Sequence, residues 1–473
     1  MDLSAFLCDN GTNAIEWEFL YLSTIDMTRG NPVRLMLKFA FPVILTNLGQ
    51  QLYMIVDAAI VGRGVGVDAL AAVGCTDWTY WIILMSMQVM TQGFATFVSR
   101  YYGSRDDRML NQTITMSALL SVIIAAVFTI AGVALAKPVL MALDTPANIL
   151  KDATTYLTTM AAGTIIVTGY NLTASILRAF GDSKSPLWAM IIAALMNIAL
   201  DLLFVMGFGW GVFGAAIASV LSQLFSFLFC LARIRRIDCV HLDRDAWKIN
   251  PELLRSLLLF GLPLAIQYTV INTSGLFVQS VINLQGSGFV AGYTAVNKLY
   301  GILECSAIAL GAAFTTFASQ NYGARLYKRV RASVRTCNLM AIGGAIAVML
   351  PLLALRGILP QLFLNVEEAG AAEAIAVAKR FLTNMAAALP FLYMIYVYRS
   401  HLQSIGDSIW SMISGFVETF ARIGMVKLVI IWLGSDVLFY TEPVSWIASL
   451  LSVLIPYYFY RRKRLPMEDG APL

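Results

Sequence analysis

Apolar segments long enough to cross a lipid bilayer recur from one end of this 473-residue chain to the other. A membrane-spanning α-helix needs about 20 predominantly apolar residues. Inside the bilayer core every backbone N–H and C=O must be paired, which restricts spanning structures to helices and closed barrels. The mean hydropathy is +0.73 and only 13% of the residues are charged, about half the share in a soluble domain. This combination indicates a polytopic helical membrane protein.

The sequence predicts twelve membrane-spanning helices. Several apolar segments are longer than a straight crossing requires, which allows the helices to tilt or to extend beyond the hydrocarbon core. The predicted fold is therefore an all-α polytopic membrane protein with twelve transmembrane helices. The segments lie near residues 34–61, 68–98, 112–136, 148–178, 186–207, 212–233, 253–283, 289–320, 332–355, 371–402, 409–434 and 438–460.

Lysine and arginine residues are concentrated in alternate loops between these spans. Cytoplasmic loops of membrane proteins carry an excess of basic residues, so these loops predict which side faces the cytoplasm. The pattern predicts a multi-pass plasma-membrane protein with both termini in the cytoplasm. The basic residues on that side include Arg29, Arg34, Arg100, Arg105, Arg178, Arg233, Arg235, Arg325, Arg329, Arg399 and the run Arg461–Arg464.

The chain repeats itself at a spacing of about 220 residues, with the matching motifs in the same order in both halves. Each half contains six predicted spans, so both halves have the same orientation in the membrane. Parallel repeats of this kind are related by an axis along the membrane normal. The sequence therefore predicts two six-helix lobes related by a pseudo-two-fold axis. The matching motifs are Phe39–Pro42 with Phe260–Pro263, Phe97–Arg105 with Phe317–Arg325, and Leu177–Ser183 with Leu402–Ser408.

The spans and the repeat divide the chain into five predicted segments. Residues 1–26 contain five acidic residues and no lysine or arginine, which excludes a signal peptide because that needs a basic start. We expect this stretch to be a disordered tail or an overcalled start. The segments are an N-terminal tail 1–28, an N lobe 29–236, a cytoplasmic linker 237–251, a C lobe 252–462 and a C-terminal tail 463–473.

Missing motifs exclude several classes of protein. The six cysteines are scattered with no CxxC spacing, so neither a disulfide framework nor a zinc site is expected. The chain has no GxxxxGK[ST] motif, so we expect no ATP binding by a P-loop. The spans contain no nucleophile–base or metal-ligand constellation. We therefore expect no enzymatic activity, no bound cofactor and no nucleic-acid partner.

A set of short motifs resembles the multidrug and toxic compound extrusion (MATE) family. The resemblance extends from about Met27 to the end of the twelfth span, and the order of the motifs is more specific than any one of them. It implies two six-helix lobes and the export of organic cations or other amphiphiles, driven by inward flow of H⁺ or Na⁺. The motifs are Phe41–Pro42, Gln50–Tyr53 with Asp57, Val61–Gly62, Ala71–Gly74, Gly181–Ser183 before Pro186, Gly214–Ala216, Gln320–Gly323 and Gly406–Ser408.

Two acidic residues, Asp57 and Asp201, lie deep within predicted spans. An ionised side chain at mid-bilayer costs at least about 2.5–3.5 kcal/mol. Tyr53 and Asn197 each precede one of these acids by four residues and share its helical face. Two carboxylates in one low-dielectric pocket cannot both stay ionised cheaply, so the pair would bind a proton or a hard cation such as Na⁺. In the alternative, these groups only hold helices together by hydrogen bonds.

The MATE resemblance implies a six-residue cation site in the N lobe. One branch of the family uses an acid with a tyrosine one turn earlier, an asparagine and an aspartate one turn apart, a threonine and a further asparagine. Ser219 replaces the threonine and keeps the hydroxyl. Another branch places acids in the seventh and tenth spans. Here the seventh span has no acid and the tenth has none deep within it, which favours coupling through the N lobe. The implied residues are Tyr53, Asp57, Asn171, Asn197, Asp201 and Ser219.

Charged residues also lie deep within predicted spans of the C lobe. Glu418 and Arg422 stand four residues apart, the spacing of an ion pair on one helical face, and we expect a structural pair. Lys298 and Glu304 are six residues apart and lie on different faces. A role in a C-lobe cavity is open for both, because ionisable residues inside membranes are often functional.

These observations favour a secondary active antiporter that exports amphiphilic or cationic small molecules in exchange for H⁺ or Na⁺. Its expected partners are the substrate and the lipid bilayer, and we expect a monomer. The alternative is a flippase for a lipid-linked precursor, which would need several cationic residues in its cavity to meet phosphate groups. Few intramembrane lysines and arginines are present, which disfavours that alternative.

Overall fold

The computed structural model of the chain describes residues 24–363, 370–460 and 465–470. All regular secondary structure within these ranges is helical, which confirms the predicted all-α class. The predicted N-terminal tail up to residue 23, Cys8 within it and the basic run Arg461–Arg464 lie outside the described residues.

The first half of the chain contains α1 (Pro32–Gly64), α2 (Val67–Ser104), α3 (Asp107–Ala142), α4 (Ala147–Ala162), α5 (Thr164–Ala179), α6 (Lys184–Asp201) and α7 (Gly211–Ile234). Helices α4 and α5 are bent by 45° around Gly163 and together make one span. Helix α6 continues into a π-helical turn, Leu202–Gly207. These seven helices form the N lobe.

The second half contains α8 (Pro251–Ile282), α9 (Ser287–Gly323), α10 (Tyr327–Leu355), α11 (Ala371–Ser404), α12 (Ile409–Gly424), α13 (Ile430–Leu433) and α14 (Thr441–Tyr460). A π-helical turn, Met425–Val429, joins α12 to α13. A short 3₁₀ turn, Ser435–Tyr440, leads into α14. These helices form the C lobe.

Each of the twelve predicted spans corresponds to a helical segment in the described ranges. Ten helical segments are long and apolar enough to cross a bilayer, and the bent pair α4–α5 makes an eleventh. The twelfth, predicted at 409–434, consists of α12 continued through the π-helical turn into α13.

The same short motifs start equivalent helices in the two lobes. Asn31 and Asn250 each cap a helix that begins with proline, and each accepts a backbone hydrogen bond from the first turn, at 2.9 and 3.1 Å respectively. Gly181 and Gly406 have φ angles of +83° and +93°, which glycine adopts without strain. The aspartates that follow them accept hydrogen bonds from the first turns of α6 and α12. The Gly-Asp-Ser turns are therefore helix caps.

The two lobes meet mainly where α2 packs against α8 and α9, and where α1 packs against α9. Arg100 of α2 donates a hydrogen bond from Nε to the carbonyl oxygen of Ser404 at 3.1 Å. Gln320 of α9 donates from Nε2 to the carbonyl oxygen of Ala179 at 2.8 Å. Arg100 and Gln320 are equivalent positions of the repeat, as are Ala179 and Ser404. Each lobe therefore holds a helix end of the other lobe in the same way.

The helix ends approach so closely at this seam that only glycine fits. A methyl group on Gly103 would overlap the backbone carbonyl of Gln320, and one on Gly323 would overlap the backbone carbonyl of Arg100. Gly103 and Gly323 are also equivalent positions of the repeat. The close approach of the two backbones therefore follows the same pseudo-two-fold symmetry as the repeat.

The residues before α1 cross the same seam. Met27 is fully buried, and its N–H donates to Gln320 Oε1 at 2.9 Å. The carbonyl oxygen of Met27 accepts a hydrogen bond from Asn321 Nδ2 at 3.0 Å. Ile25 lies so close to Gly181 of the N lobe that a methyl group there would overlap its backbone. Ile25 and Met27, assigned from sequence to a tail, thus contact both lobes.

We predict that Gly323→Ala weakens the seam between the lobes. The added methyl group must displace the backbone of Arg100, and overpacking of this kind costs about 1–3 kcal/mol. The thermal unfolding midpoint of the purified protein in detergent should therefore fall by several degrees. Gly343→Ala is the matched control, because Gly343 of α10 has open space beside its Cα and alanine is the better helix former. Equal midpoints for the two variants would contradict the prediction.

Candidate functional site

Three helices of the N lobe bring five polar side chains together. Tyr53 and Asp57 belong to α1, Asn197 and Asp201 to α6, and Ser219 to α7. Asn197 and Asp201 are fully buried, and Asp57 is 9% exposed. The carboxyl groups of Asp57 and Asp201 lie within hydrogen-bonding reach of each other. Five of the six residues implied by the family resemblance are therefore neighbours in the structure.

Hydroxyl and amide groups connect α7 to the other two helices. Tyr53 Oη and Ser219 Oγ form a hydrogen bond of 2.8 Å. Asn197 Nδ2 donates to the same Ser219 Oγ at 3.4 Å. Asp201 is the last residue of α6 before its π-helical turn, a distortion that frequently marks functional sites.

Four oxygen atoms of this site receive no hydrogen bond from the described residues. They are Asp57 Oδ1, Asn197 Oδ1 and both carboxylate oxygens of Asp201. An unsatisfied buried acceptor costs about 1–3 kcal/mol, and more when it is charged. Two carboxyl groups in contact cannot both ionise without a compensating positive charge. The geometry therefore suits a bound proton or a bound cation.

Asn171, the sixth implied residue, is not hydrogen-bonded to the other five. It lies on α5 and is 8% exposed. Its Nδ2 has no acceptor among the described residues. The structure therefore brings five of the implied residues together and leaves Asn171 outside their hydrogen-bond network.

Asp77 is an acidic residue near this site that is missing from the sequence-based candidates. It lies in α2, within the predicted span 68–98. It is an electrostatic neighbour of Asp57 in the N lobe and of Lys298 in the C lobe. An acid within an apolar span is the signal that singled out Asp57, and the same signal identifies Asp77.

The C lobe contains a buried network of four charged residues. Glu418 lies 3.2 Å from Arg422, as the spacing predicted, and 2.7 Å from Arg399. Arg422 also lies 2.7 Å from Glu442. Glu442 could not be linked to the pair from sequence, because it belongs to another helix. Arg399, which the sequence places with the basic residues at the cytoplasmic ends of spans, is buried in the lobe and paired with Glu418.

Lys298 and Glu304, the proposed C-lobe cavity residues, have different surroundings. Glu304 accepts a hydrogen bond from Tyr396 Oη at 2.7 Å. Lys298 is exposed and its electrostatic neighbour is Asp77 of the other lobe. The described residues show no ion pair between Lys298 and Glu304, in agreement with their positions on different helical faces.

The fold and the buried acids together define a two-lobed membrane transporter. The described part of the chain contains no group of three or more His, Cys, Asp or Glu residues arranged to hold a metal ion. The MatE family model matches residues 42–203 in the N lobe and 263–426 in the C lobe. The chain belongs to the MATE family, whose members are transporters and not enzymes.

Two relatives cover 94% and 54% of this chain. The probable multidrug resistance protein YpnP of Bacillus subtilis (strain 168) is 26% identical over 450 residues, which are 94% of this chain and 99% of YpnP. The multidrug export protein MepA of Staphylococcus aureus (strain bovine RF122 / ET3-1) is 20% identical over 54% of this chain and 57% of its own length.

Solved structures confirm the two-lobed fold. A crystal structure of MATE in the bent conformation has a TM-score of 0.85 at 22% identity, and covers 94% of this chain and 97% of that chain. The outward-facing conformation of a multidrug resistance MATE family transporter of the MOP superfamily has a TM-score of 0.84 at 22% identity, covering 94% of this chain and 98% of that chain.

We predict that Glu418→Gln strongly destabilises the C lobe. The change leaves two buried arginines with one acid, and breaking a buried ion pair costs about 3–5 kcal/mol. Asp436→Asn is the matched control, because its pair with Arg380 has side chains 68% and 43% exposed and is worth at most about 1 kcal/mol. Thermal unfolding in detergent measures both variants. A Glu418→Gln midpoint no lower than that of Asp436→Asn would show that the network is not structural.

Proposed function

We propose that this transporter is a secondary active antiporter that exports amphiphilic or cationic small molecules in exchange for H⁺ or Na⁺. The coupling ion binds at Asp57 and Asp201. The observation that carries the proposal is the group of buried acceptor oxygens at these residues that lack a donor among the described residues. The names of two relatives, a probable multidrug resistance protein and a multidrug export protein, support the substrate class.

Either ion suits this oxygen cluster on chemical grounds. A proton shared by Asp57 and Asp201 removes half of their combined negative charge and lets one carboxyl donate to the other. Na⁺ is a hard cation that takes carboxylate, amide and hydroxyl oxygens. Asn197 and Ser219 supply the neutral oxygens at the same place.

A small cavity next to the site has room for a water molecule through which a proton could pass. It has a volume of about 20 Å³ and is lined by Tyr53, Gln50, Gln223 and Ser226, among others, which is room for one water molecule. Gln223 Oε1 has no donor among the described residues. A water molecule bound there would lie beside Gln223 and Tyr53, and the Tyr53 hydroxyl is hydrogen-bonded to Ser219.

The position of the site links ion binding to the lobes. Helix α1 carries Tyr53 and Asp57 and also packs against α9 of the C lobe. An ion that binds better in one arrangement of the lobes shifts the population toward it. The substrate and the ion can then be exchanged even though they bind to different atoms of the protein, provided that each binds more tightly to a different arrangement of the lobes.

The protein functions in the plasma membrane as a monomer, with both termini in the cytoplasm and no cofactor besides the coupling ion. The basic loops support this orientation. It puts the contact of Arg100 with Ser404 on the cytoplasmic side. The structure then corresponds to a state in which the lobes are closed toward the cytoplasm.

Flipping of a lipid-linked precursor fits the C lobe less well. A phosphate-bearing cargo requires positive charges that are free to meet it. Arg399 and Arg422 are instead bound to Glu418 and Glu442 at 2.7 Å. This pairing favours export of cationic molecules over transport of a phosphate-bearing lipid.

We predict that Asp57→Asn and Asp201→Asn each abolish gradient-driven export while leaving the protein folded. Asparagine keeps the shape but removes the charge that holds the ion, so ethidium efflux under an imposed H⁺ or Na⁺ gradient should fall about tenfold or more, which corresponds to a barrier higher by at least about 1.4 kcal/mol. Asp245→Asn is the matched control, because this side chain is 86% exposed in the linker. Whichever gradient drives efflux by the native protein identifies the coupling ion.

Two outcomes of the ethidium experiment would contradict the proposal. If the two variants export ethidium under the gradient as fast as Asp245→Asn, coupling does not use these acids. If the folded native protein moves no ethidium under either gradient, the substrate class is wrong.

A further inference from the structure

The short segment before α1, residues 24–30, is bound to the C lobe. The N–H of Met27 donates to Gln320 Oε1 at 2.9 Å, and its carbonyl oxygen accepts from Asn321 Nδ2 at 3.0 Å. Arg329 of α10 donates a further hydrogen bond to the same carbonyl oxygen at 3.3 Å. The Met27 side chain is fully buried, in one hydrophobic cluster with residues of α9 and α10. These contacts fix the segment on the C lobe.

The same segment also contacts the N lobe. The backbone of Ile25 lies so close to Gly181 that a methyl group on this glycine would overlap the carbonyl oxygen of Ile25. Gln320 binds the segment through Oε1 and donates from Nε2 to the carbonyl oxygen of Ala179 in the N lobe at 2.8 Å. Because Oε1 accepts from Met27, the amide is oriented with Nε2 toward the N lobe. The segment therefore orients a hydrogen bond that crosses the seam.

The two halves of the seam are held with different strength by the repeat itself. Arg100 donates three hydrogen bonds to the carbonyl oxygens of Gln403 and Ser404, at 2.9 to 3.3 Å. A charged donor makes a stronger hydrogen bond than a neutral one. Gln320, at the equivalent position, is neutral and donates a single hydrogen bond across the seam. The half that contains Gln320 therefore has the weaker direct contact between the lobes.

The segment before α1 supplies the missing contact in that half. The guanidinium of Arg100 lies against Gly406, with its Nη2 3.0 Å from the position of an added methyl group. Gly181 is the equivalent glycine of the N lobe, and the backbone of Ile25 lies against it instead. The segment thus occupies, in one half of the seam, the place that an arginine side chain occupies in the other.

We propose that residues 24–30 form a latch that holds the lobes closed on the cytoplasmic side. The latch stays on the C lobe through Met27, and opening toward the cytoplasm breaks its contact with Gly181. Because this contact exists only in the closed arrangement, it shifts the population toward that arrangement. The inference rests on the orientation given with the proposed function and adds a control of the step that separates the lobes.

The competing explanation is that the segment only stabilises the fold of the C lobe. In that case, loss of the Met27 side chain lowers the thermal unfolding midpoint and leaves the two lobes in the same relative position. If the segment is a latch, the same change also increases the fraction of molecules that are open toward the cytoplasm. The distance between the lobes, and not the stability, therefore separates the two explanations.

The test is double electron–electron resonance on the full-length protein in lipid nanodiscs. Spin labels are attached through p-acetylphenylalanine introduced in place of Asp245 and Lys328, so that the native cysteines remain. Both positions are exposed. The linker that carries Asp245 is hydrogen-bonded to Thr115 of the N lobe through Ala246, and Lys328 lies at the start of α10 in the C lobe. Separation of the lobes on this side lengthens the distance between the labels.

We expect Met27→Ala to increase the long-distance population about tenfold, because removal of a buried side chain loosens the anchor of the latch. Met116→Ala is the matched control, since Met116 of α3 is also fully buried but lies in the N-lobe core. If Met27→Ala does not fold, Arg329→Gln replaces it, because this change removes the hydrogen bond of Arg329 to Met27. Its control is Arg335→Gln, at an exposed position of the same helix.

The outcomes distinguish this inference from the proposed function, because ethidium efflux by the native protein is measured in parallel. If the native protein exports ethidium and Met27→Ala gives the same distance distribution as Met116→Ala, the latch is wrong and the export function stands. Equal distributions for Arg329→Gln and Arg335→Gln, where these are the variants measured, overturn the latch as well. If the native protein exports no ethidium but Met27→Ala shifts the distances, the latch stands and the export function is wrong.

Discussion

The cost of holding charge away from water governs this structure. An ion inside a bilayer is retained only when something compensates it, and the two lobes meet this requirement differently. In the C lobe two arginines and two glutamates neutralise one another, with Arg422 between Glu418 and Glu442. In the N lobe Asp57 and Asp201 contact each other instead, and four acceptor oxygens of their site receive no donor from the described residues. One lobe therefore neutralises its buried charges with one another, whereas the other has two acids that, in the proposed mechanism, a proton or Na⁺ from solution compensates.

The internal repeat gives the two lobes an interface of equivalent contacts, and this interface allows the lobes to move relative to each other during transport. Each lobe contributes the same helix ends to the seam, where Arg100 and Gln320 hold equivalent carbonyl groups of the opposite lobe. Gly103 and Gly323 allow the backbones to touch. A contact made twice in equivalent geometry can be broken and remade as a unit, which suits lobes that rock between two states. The proposed ion site includes Asp57 of α1, the helix that itself packs against α9 of the C lobe.

The sequence predicted what depends on local spacing and missed what depends on contacts between helices. Apolar length predicted twelve helical segments, of which ten, or eleven with the bent pair α4–α5, are long and apolar enough to cross a bilayer. A four-residue spacing predicted that Asn197 shares a face with Asp201 and that Glu418 meets Arg422. The pairing of Arg399 with Glu418 is not visible in the sequence, because the two residues belong to different helices. The roles of Glu442 and Asp77 depend on their neighbours Arg422 and Lys298, which belong to other helices. The bend at Gly163 and the π-helical turns change the direction of a helix without changing its composition, so hydropathy does not show them.

The central claim is that Asp57 and Asp201 hold a proton or Na⁺ within the membrane. The most direct test is infrared difference spectroscopy of the protein reconstituted in lipid, recorded between acidic and alkaline buffer, with and without Na⁺. We expect a carbonyl band of a protonated carboxylic acid in the native protein that is absent from the Asp57→Asn/Asp201→Asn double variant. If Na⁺ is the coupling ion, adding it should remove this band at constant pH. A spectrum that is the same in the native protein and the double variant, and that does not respond to Na⁺, would contradict the account.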